Sequence, residues 1–279
     1  MRKISLILLL FAAAFSINAQ STFKIGAFTV KKVDVSFGYE TDMVNNLSYQ
    51  YFVNQMPIAS QGLFKSADFN PSSLYGGICE NPSISLGLTL LHPALPNFEW
   101  RNSLALKDER VDAVSYYSPD FYDGEYVTFD SRHDEFTLES SLIYKLPVTK
   151  FFNLYGGAGM NIGIVPKNET CVFASLDFNT DDLSFSNVQE INQSVMTEDY
   201  GYYSECYSTG AQLNHRVFLQ GGFGLKFFNK IELGVDLRYG YGYRAEPGTQ
   251  VIGTNLISSN LNVRYILNDK VVEDSKLLY

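Results

Sequence analysis

The stretch FDSRHDEF, residues 129–136, places Ser131, His133 and Asp134 close together, with Asp130 and Glu135 beside them. A serine that attacks a carbonyl needs a histidine to take its proton and a carboxylate to orient that histidine. Adjacent residues on a strand point to opposite faces, so these three cannot converge if the stretch is extended. A site would require His133 to meet groups from other strands or loops. The remaining histidines are His92, in the turn-like LHPALPN, and His215, at the start of a later apolar segment. No zinc-type Cys/His spacing, phosphate-binding loop or dinucleotide fingerprint is present. We therefore expect no catalytic, cofactor-binding or metal-ligating residues and no enzymatic activity; the histidines read as members of a solvated polar rim.

The elements carrying these residues are set by period two. In KIELGVDLRYGYGYR, Ile231, Leu233, Val235, Leu237, Tyr239, Tyr241 and Tyr243 share one face, while Glu232, Asp236, Arg238, Arg244 and three glycines share the other. Ordinary strands run about five or six residues. This one keeps its alternation for about fourteen, enough at a 45° tilt to cross roughly 30 Å. Eight such segments are predicted: 33–40, 82–91, 98–107 with a possible continuation to 117, 125–146, 151–164, 216–228, 231–244 and 256–267. HPALPN, PVTK and the surroundings of Asn229 are tight connections. Those at 41–81, 111–124, 165–215 and 245–255 are long. Short turns at one end and long loops at the other suit an all-β, antiparallel transmembrane β-barrel of eight strands, with periplasmic turns and extracellular loops. The aromatic positions agree with two interfacial belts: Phe98, Trp100, Tyr144, Phe152, Phe227 and Tyr265 fall toward the short-turn ends, and Tyr39, Phe129, Tyr241 and Tyr243 toward the long-loop ends.

A soluble barrel with its apolar face inward is the competing arrangement. The glycines argue against it. Gly38, Gly87, Gly157, Gly159 and Gly163 fall on the polar face, as do Gly222, Gly224, Gly234, Gly240 and Gly242. That is expected if this face lines a narrow lumen where long charged side chains need room. The lumen then holds Asp34, Glu99, Arg101, Glu139 and Lys145, joined by Lys226, Glu232, Asp236, Arg238 and Arg264; Lys107 and Glu135 share the same face. An eight-stranded interior is just wide enough for side chains to fill it, so these charges should pair rather than line an open channel. A turn centred on Asn229 sets Lys226 opposite Glu232. Asp34 and Arg264 meet where the first and last strands close the ring.

The first residues, MRKISLILLLFAAAFSINAQ, have the charged start, short apolar run and small residue at Ala19 of a secretory signal peptide. The expected organisation is a signal peptide over 1–19, a periplasmic segment over 20–32, the barrel over 33–267 and a short periplasmic tail over 268–279. A net charge of −9 makes nucleic acid an improbable partner. Export permits a disulfide, and Cys171 with Cys206 would staple the base of one loop, although three cysteines, Cys79 included, allow three pairings. The loop 166–212 carries eight acidic residues against one base, Lys167, and ends in tyrosines. Its charge reads as a solvated face or as a surface for an extracellular ligand or basic partner.

The eight amphipathic strands, the ending NAQ of the leader, the repeats GGAGMNIGI, LQGGFGLKFF and LGVDLRYGYGYR, and the last strand LNVRYIL resemble small outer-membrane barrels of the outer-membrane protein A and X type. The NAQ ending is similar to that of exported Bacteroidetes proteins. The resemblance covers roughly residues 33–267 and lies in pattern, not in a motif. It implies a cell outer-membrane location among outer membrane lipid and lipopolysaccharide, and it carries no catalytic residues. NDKVVEDSKLLY departs from the pattern, since such barrels commonly end on an aromatic residue of the final strand. The expected role is a non-enzymatic surface barrel supporting envelope integrity or adhesion. A small channel for solutes or apolar ligands comes second, and a lipid-modifying enzyme third.

Overall fold

The computed structural model describes residues 24–44, 52–54, 56, 78–117, 126–176, 196–197, 200–227, 230–245 and 251–267. Within them the strands are β1 (Lys24–Ile25), β2 (Phe28–Val44), β3 (Ile78–Leu91), β4 (Phe98–Tyr117), β5 (Tyr126–Pro147) and β6 (Phe152–Val165). They continue as β7 (Asn168–Leu176), β8 (Met196–Thr197), β9 (Tyr200–Thr209), β10 (Gln212–Phe227), β11 (Ile231–Ala245) and β12 (Ile252–Ile266). Eight of them close a ring in the order β2-β3-β4-β5-β6-β10-β11-β12, with β12 returning to β2. Every ring pairing is antiparallel. Closure satisfies both edges of each wall strand, which an open sheet cannot do.

The apolar face points outward. Leu104, Leu219 and Leu237 are 68%, 68% and 64% exposed, whereas Lys32, Arg216 and Arg264 on the opposite face are at most 1% exposed. A barrel in water buries the first kind of side chain and exposes the second. This polarity suits lipid outside and a packed polar interior. The lumen glycines make that packing possible. A Cβ on Gly159 would lie 2.6 Å from the Phe218 ring and 2.7 Å from Ser141, and one on Gly234 would lie 2.5 Å from the Arg264 guanidinium.

The wall strands run further than the expected boundaries. Gly26, at φ 60°, lets β1 fold back on β2, pairing Lys24 with Thr29 and Ile25 with Phe28. The wall therefore starts inside the stretch expected to be a periplasmic segment. An irregularity between Val30 and Lys32 in the β2–β3 ladder accompanies a Lys32 side chain buried in the lumen. Cys79, expected in a loop, lies on β3 opposite Asp42 and Val111. The stretches 1–19 and 268–279, expected to be leader and tail, lie outside the described residues.

Within the expected loop 166–212, residues 168–176, 196–197 and 200–209 form strands. β5 pairs with β6 as far as Phe136 opposite Ile164 and then with β7 from His133 opposite Asn168. Two residues of β5 thus face three, 165–167, which makes a bulge at Pro166 where no N–H is available for the ladder. β9 pairs with β7 and leads through 210–211 into β10. β4 and β5 also stay paired up to Tyr117 opposite Tyr126. The β4, β5, β7 and β9 stretches thus carry one side of the wall beyond the ring as a sheet with its own apolar face. Val127, Phe129, Val172 and Ala174 are buried there. Phe52 stacks on Phe129 with ring centroids 4.6 Å apart, and the Tyr207 hydroxyl donates to the Phe52 carbonyl at 3.3 Å. Phe129 accordingly faces inward under this cover instead of joining an outer aromatic belt.

Candidate functional site

The charged lumen follows directly from period two: each wall strand delivers every second side chain to the same narrow space. The charges sort by height into three sets. Nearest the short turns, Asp34, Glu99, Glu232 and Asp236 stand with Lys32, Arg101, Lys145 and Arg264. Glu232 is the hub, 3.1 Å from the Lys32 ammonium, 2.8 Å from that of Lys145 and 3.1 Å from the Arg264 guanidinium. Lys32 also reaches Glu99 at 2.8 Å, and Arg101 reaches Glu99 at 3.2 Å. The Tyr155 hydroxyl donates to Asp236, and the Arg101 and Arg264 guanidinium carbons lie 4.4 and 5.3 Å from the Tyr155 ring centroid.

At mid-height Arg238 forks onto Glu139 through two hydrogen bonds of 2.8 and 2.7 Å and packs over Phe218 at 4.9 Å. Toward the long loops, Glu40, Asp42 and Glu135 stand with Lys107, Arg216 and Arg244. Arg216 is 2.7 Å from Asp42 and 2.8 Å from Glu135, and all three are 0% exposed. Lys107 meets Glu40 at 2.6 Å and Arg244 meets Asp42 at 3.2 Å. Thr137 and Asn214 donate to the Glu135 carboxylate. The mid-height set and the set toward the long loops have as many carboxylates as cations. Such pairs add little net stability, because desolvation offsets their attraction, but an unmatched member is costly.

The expected lumen residues Asp34, Glu99, Arg101, Glu139, Lys145, Glu232, Asp236, Arg238 and Arg264 all lie in these sets. Around two expected pairings, contacts also run across the lumen. Lys226 is opposite Glu232 in register, and that carboxylate also meets cations from β2, β5 and β12 across the lumen. Arg264 is opposite Asp34, but its guanidinium turns to Glu232 and, at 3.5 Å, to Asp236. Register fixes which backbones adjoin, and long side chains then choose partners across the interior. Glu40, Arg216 and Arg244 lie within expected strands on their polar faces, whereas Lys32 and Asp42 lie just beyond the ends of the expected strand 33–40. Continuing the alternation past those ends would have found Lys32 and Asp42. Tyr155, an aromatic on the polar face, had no such signal.

Ser131 and His133 share the inward face of β5 and Asp134 lies on the other. Ser131 is hydrogen-bonded to Thr170 at 2.7 Å, and His133 Nδ1 lies 3.1 Å from Asn168 Oδ1. These contacts tie β5 to β7 and do not align a nucleophile with a base. Cys171 and Cys206 are register partners of β7 and β9 and form a disulfide with an S–S distance of 2.03 Å. Glu169 lies beside it, but both sulfurs are committed to each other.

No family model matches the chain, and no curated protein is similar in sequence. Among solved structures, neisserial surface protein A is 12% identical over 85% of this chain and 96% of its own, with a TM-score of 0.36. The attachment invasion locus protein Ail of Yersinia pestis, in complex with the heparin analogue sucrose octasulfate, is 11% identical over 84% of this chain and 99% of its own, at 0.33. The monoaromatic hydrocarbon channel CymD is 7% identical over 85% and 89%, at 0.22. At these scores the likeness carries no argument. On its own strand register, the chain is an eight-stranded antiparallel β-barrel with its apolar face outward and a charged, paired interior.

Proposed function

We propose that the chain is a non-enzymatic outer-membrane barrel whose work is done by the structure it holds outside the cell, in adhesion or in envelope integrity. One observation carries this reading: the wall continues past the ring as a sheet with its own buried apolar face, disulfide and cover from the β2–β3 connection. A barrel serving transport needs an open lumen, whereas here ion pairs cross the interior at three heights. The exposed leucine and aromatic belt accounts for a setting in outer membrane lipid and lipopolysaccharide. The eight acidic residues of 166–212 suit a basic extracellular partner.

The test uses refolded protein in lipid vesicles and planar bilayers. Vesicles carrying the protein should bind polylysine, and exchanging the acidic residues of 166–212 for their amides should abolish binding. The same protein should show no conductance steps in planar bilayers. Steady single-channel currents would overturn the closed-lumen reading in favour of a channel, and polylysine binding untouched by the amide exchanges would remove the partner surface.

A further inference from the structure

Small side chains are concentrated on one side of the lumen. At mid-height β2, β3, β4 and β5 present Ser36, Ser83, Ser85, Ser103, Ala105 and Ser141 around a cavity of about 30 Å³. Their adjacency follows from register, with Ser36 opposite Ser85 and Ser85 opposite Ala105. The long side chains that border it are drawn to partners in the charge sets: Lys107 to Glu40, Arg238 to Glu139, and Arg101 to Glu99.

Asp34, 7% exposed, lines the cavity. Its register neighbours are Arg264, whose guanidinium is turned away, and Gly87, which has no side chain. Arg101 Nε, Asn260 Nδ2 and Arg264 Nε make no hydrogen bond among the described residues, and their side chains line the same cavity. Carboxylates and cations around it balance, so an ion of either sign would upset a neutral set. A cavity of this size holds on the order of two waters.

We propose that this cavity is a water-binding chamber, in which a small cluster of ordered waters donates to Asp34 and accepts from Arg101 and Asn260. The lumen is then closed by protein on one side and by held water on the other. This goes beyond the proposed surface role and does not depend on it.

The experiment is water-selective NMR on the full barrel refolded in micelles. Magnetisation should pass from water to the Asn260 side-chain amide and the Arg101 Nε–H. Ser85→Leu, which fills the chamber, should abolish both signals and lower the guanidinium midpoint of unfolding, because Asp34 loses its solvation. If Ser85→Leu fails to refold, Ala105→Val takes its place. Absence of both signals in the unaltered protein would overturn the proposal, as would their survival in the filled variant. A filled variant that is as stable as the unaltered protein, or more so, would overturn it too.

Discussion

Arg216→Met removes the cation that joins Asp42 and Glu135 and leaves a side chain of similar length in the same space. Three carboxylates, Glu40, Asp42 and Glu135, would then face Lys107 and Arg244 alone, with Asp42 and Glu135 0% exposed. Removing one partner of a buried charge set costs about 3–5 kcal/mol. With a guanidinium slope on the order of 4 kcal/mol per M, the unfolding midpoint should fall by about 1 M. The assay is reversible unfolding in detergent micelles, followed through Trp100, the single tryptophan of the chain, which is 37% exposed on the outer face. Arg216→Met with Glu135→Gln restores equal numbers of carboxylates and cations and keeps an acceptor for Thr137 and Asn214. It should recover at least half of the lost stability. A loss under about 1 kcal/mol for the single change would refute the reasoning, because the layer would then tolerate an unmatched charge. So would a double variant whose loss equals the sum of the two single losses.

Leu237→Arg, at a position 64% exposed midway along β11, should destabilise the barrel in bilayers by roughly 2–4 kcal/mol; an unchanged midpoint would contradict a lipid-facing wall. Gly159→Leu should prevent refolding, judged by loss of the heat-modifiable gel shift, because its side chain would occupy the space of Phe218 and Ser141. Gly156→Ala, whose Cβ would meet only the Gln220 carbonyl oxygen at 3.7 Å, should refold normally. Reducing Cys171–Cys206 should raise amide exchange in 168–176 and 200–209 while leaving 231–245 and 252–266 protected; equal loss in both regions would show that the outer sheet and the ring unfold together.

The wall was legible because each wall strand repeats the same alternation. Ile231 to Tyr243 faces outward as its pattern indicates, and all ten glycines assigned to the polar face border lumen or wall-interior atoms. Boundaries were less legible. Lys32 falls in the expected leading segment, yet it continues the inward alternation of Asp34 and Ser36 and the irregularity comes only before it. The strands β7 and β9 carry no long unbroken alternation of apolar and polar residues, and they pair as strands only beside β5. Lys226 and Glu232 show the same limit within the candidate site: a turn predicts their adjacency, but not the cations that three other strands also bring to Glu232.

By itself the amino-acid sequence determined which residues share a face, that the chain forms eight long antiparallel strands, and that glycines and charges line one side together. These are local properties, since period two is set by the backbone and reads out along a single strand. Only the tertiary structure decided which charge meets which, where small side chains leave a chamber, and that β7 and β9 extend the wall beyond the ring. Those outcomes depend on ring closure and on the reach of long side chains across the lumen, and both join residues far apart in the chain, such as Lys32 and Glu232 at 200 positions.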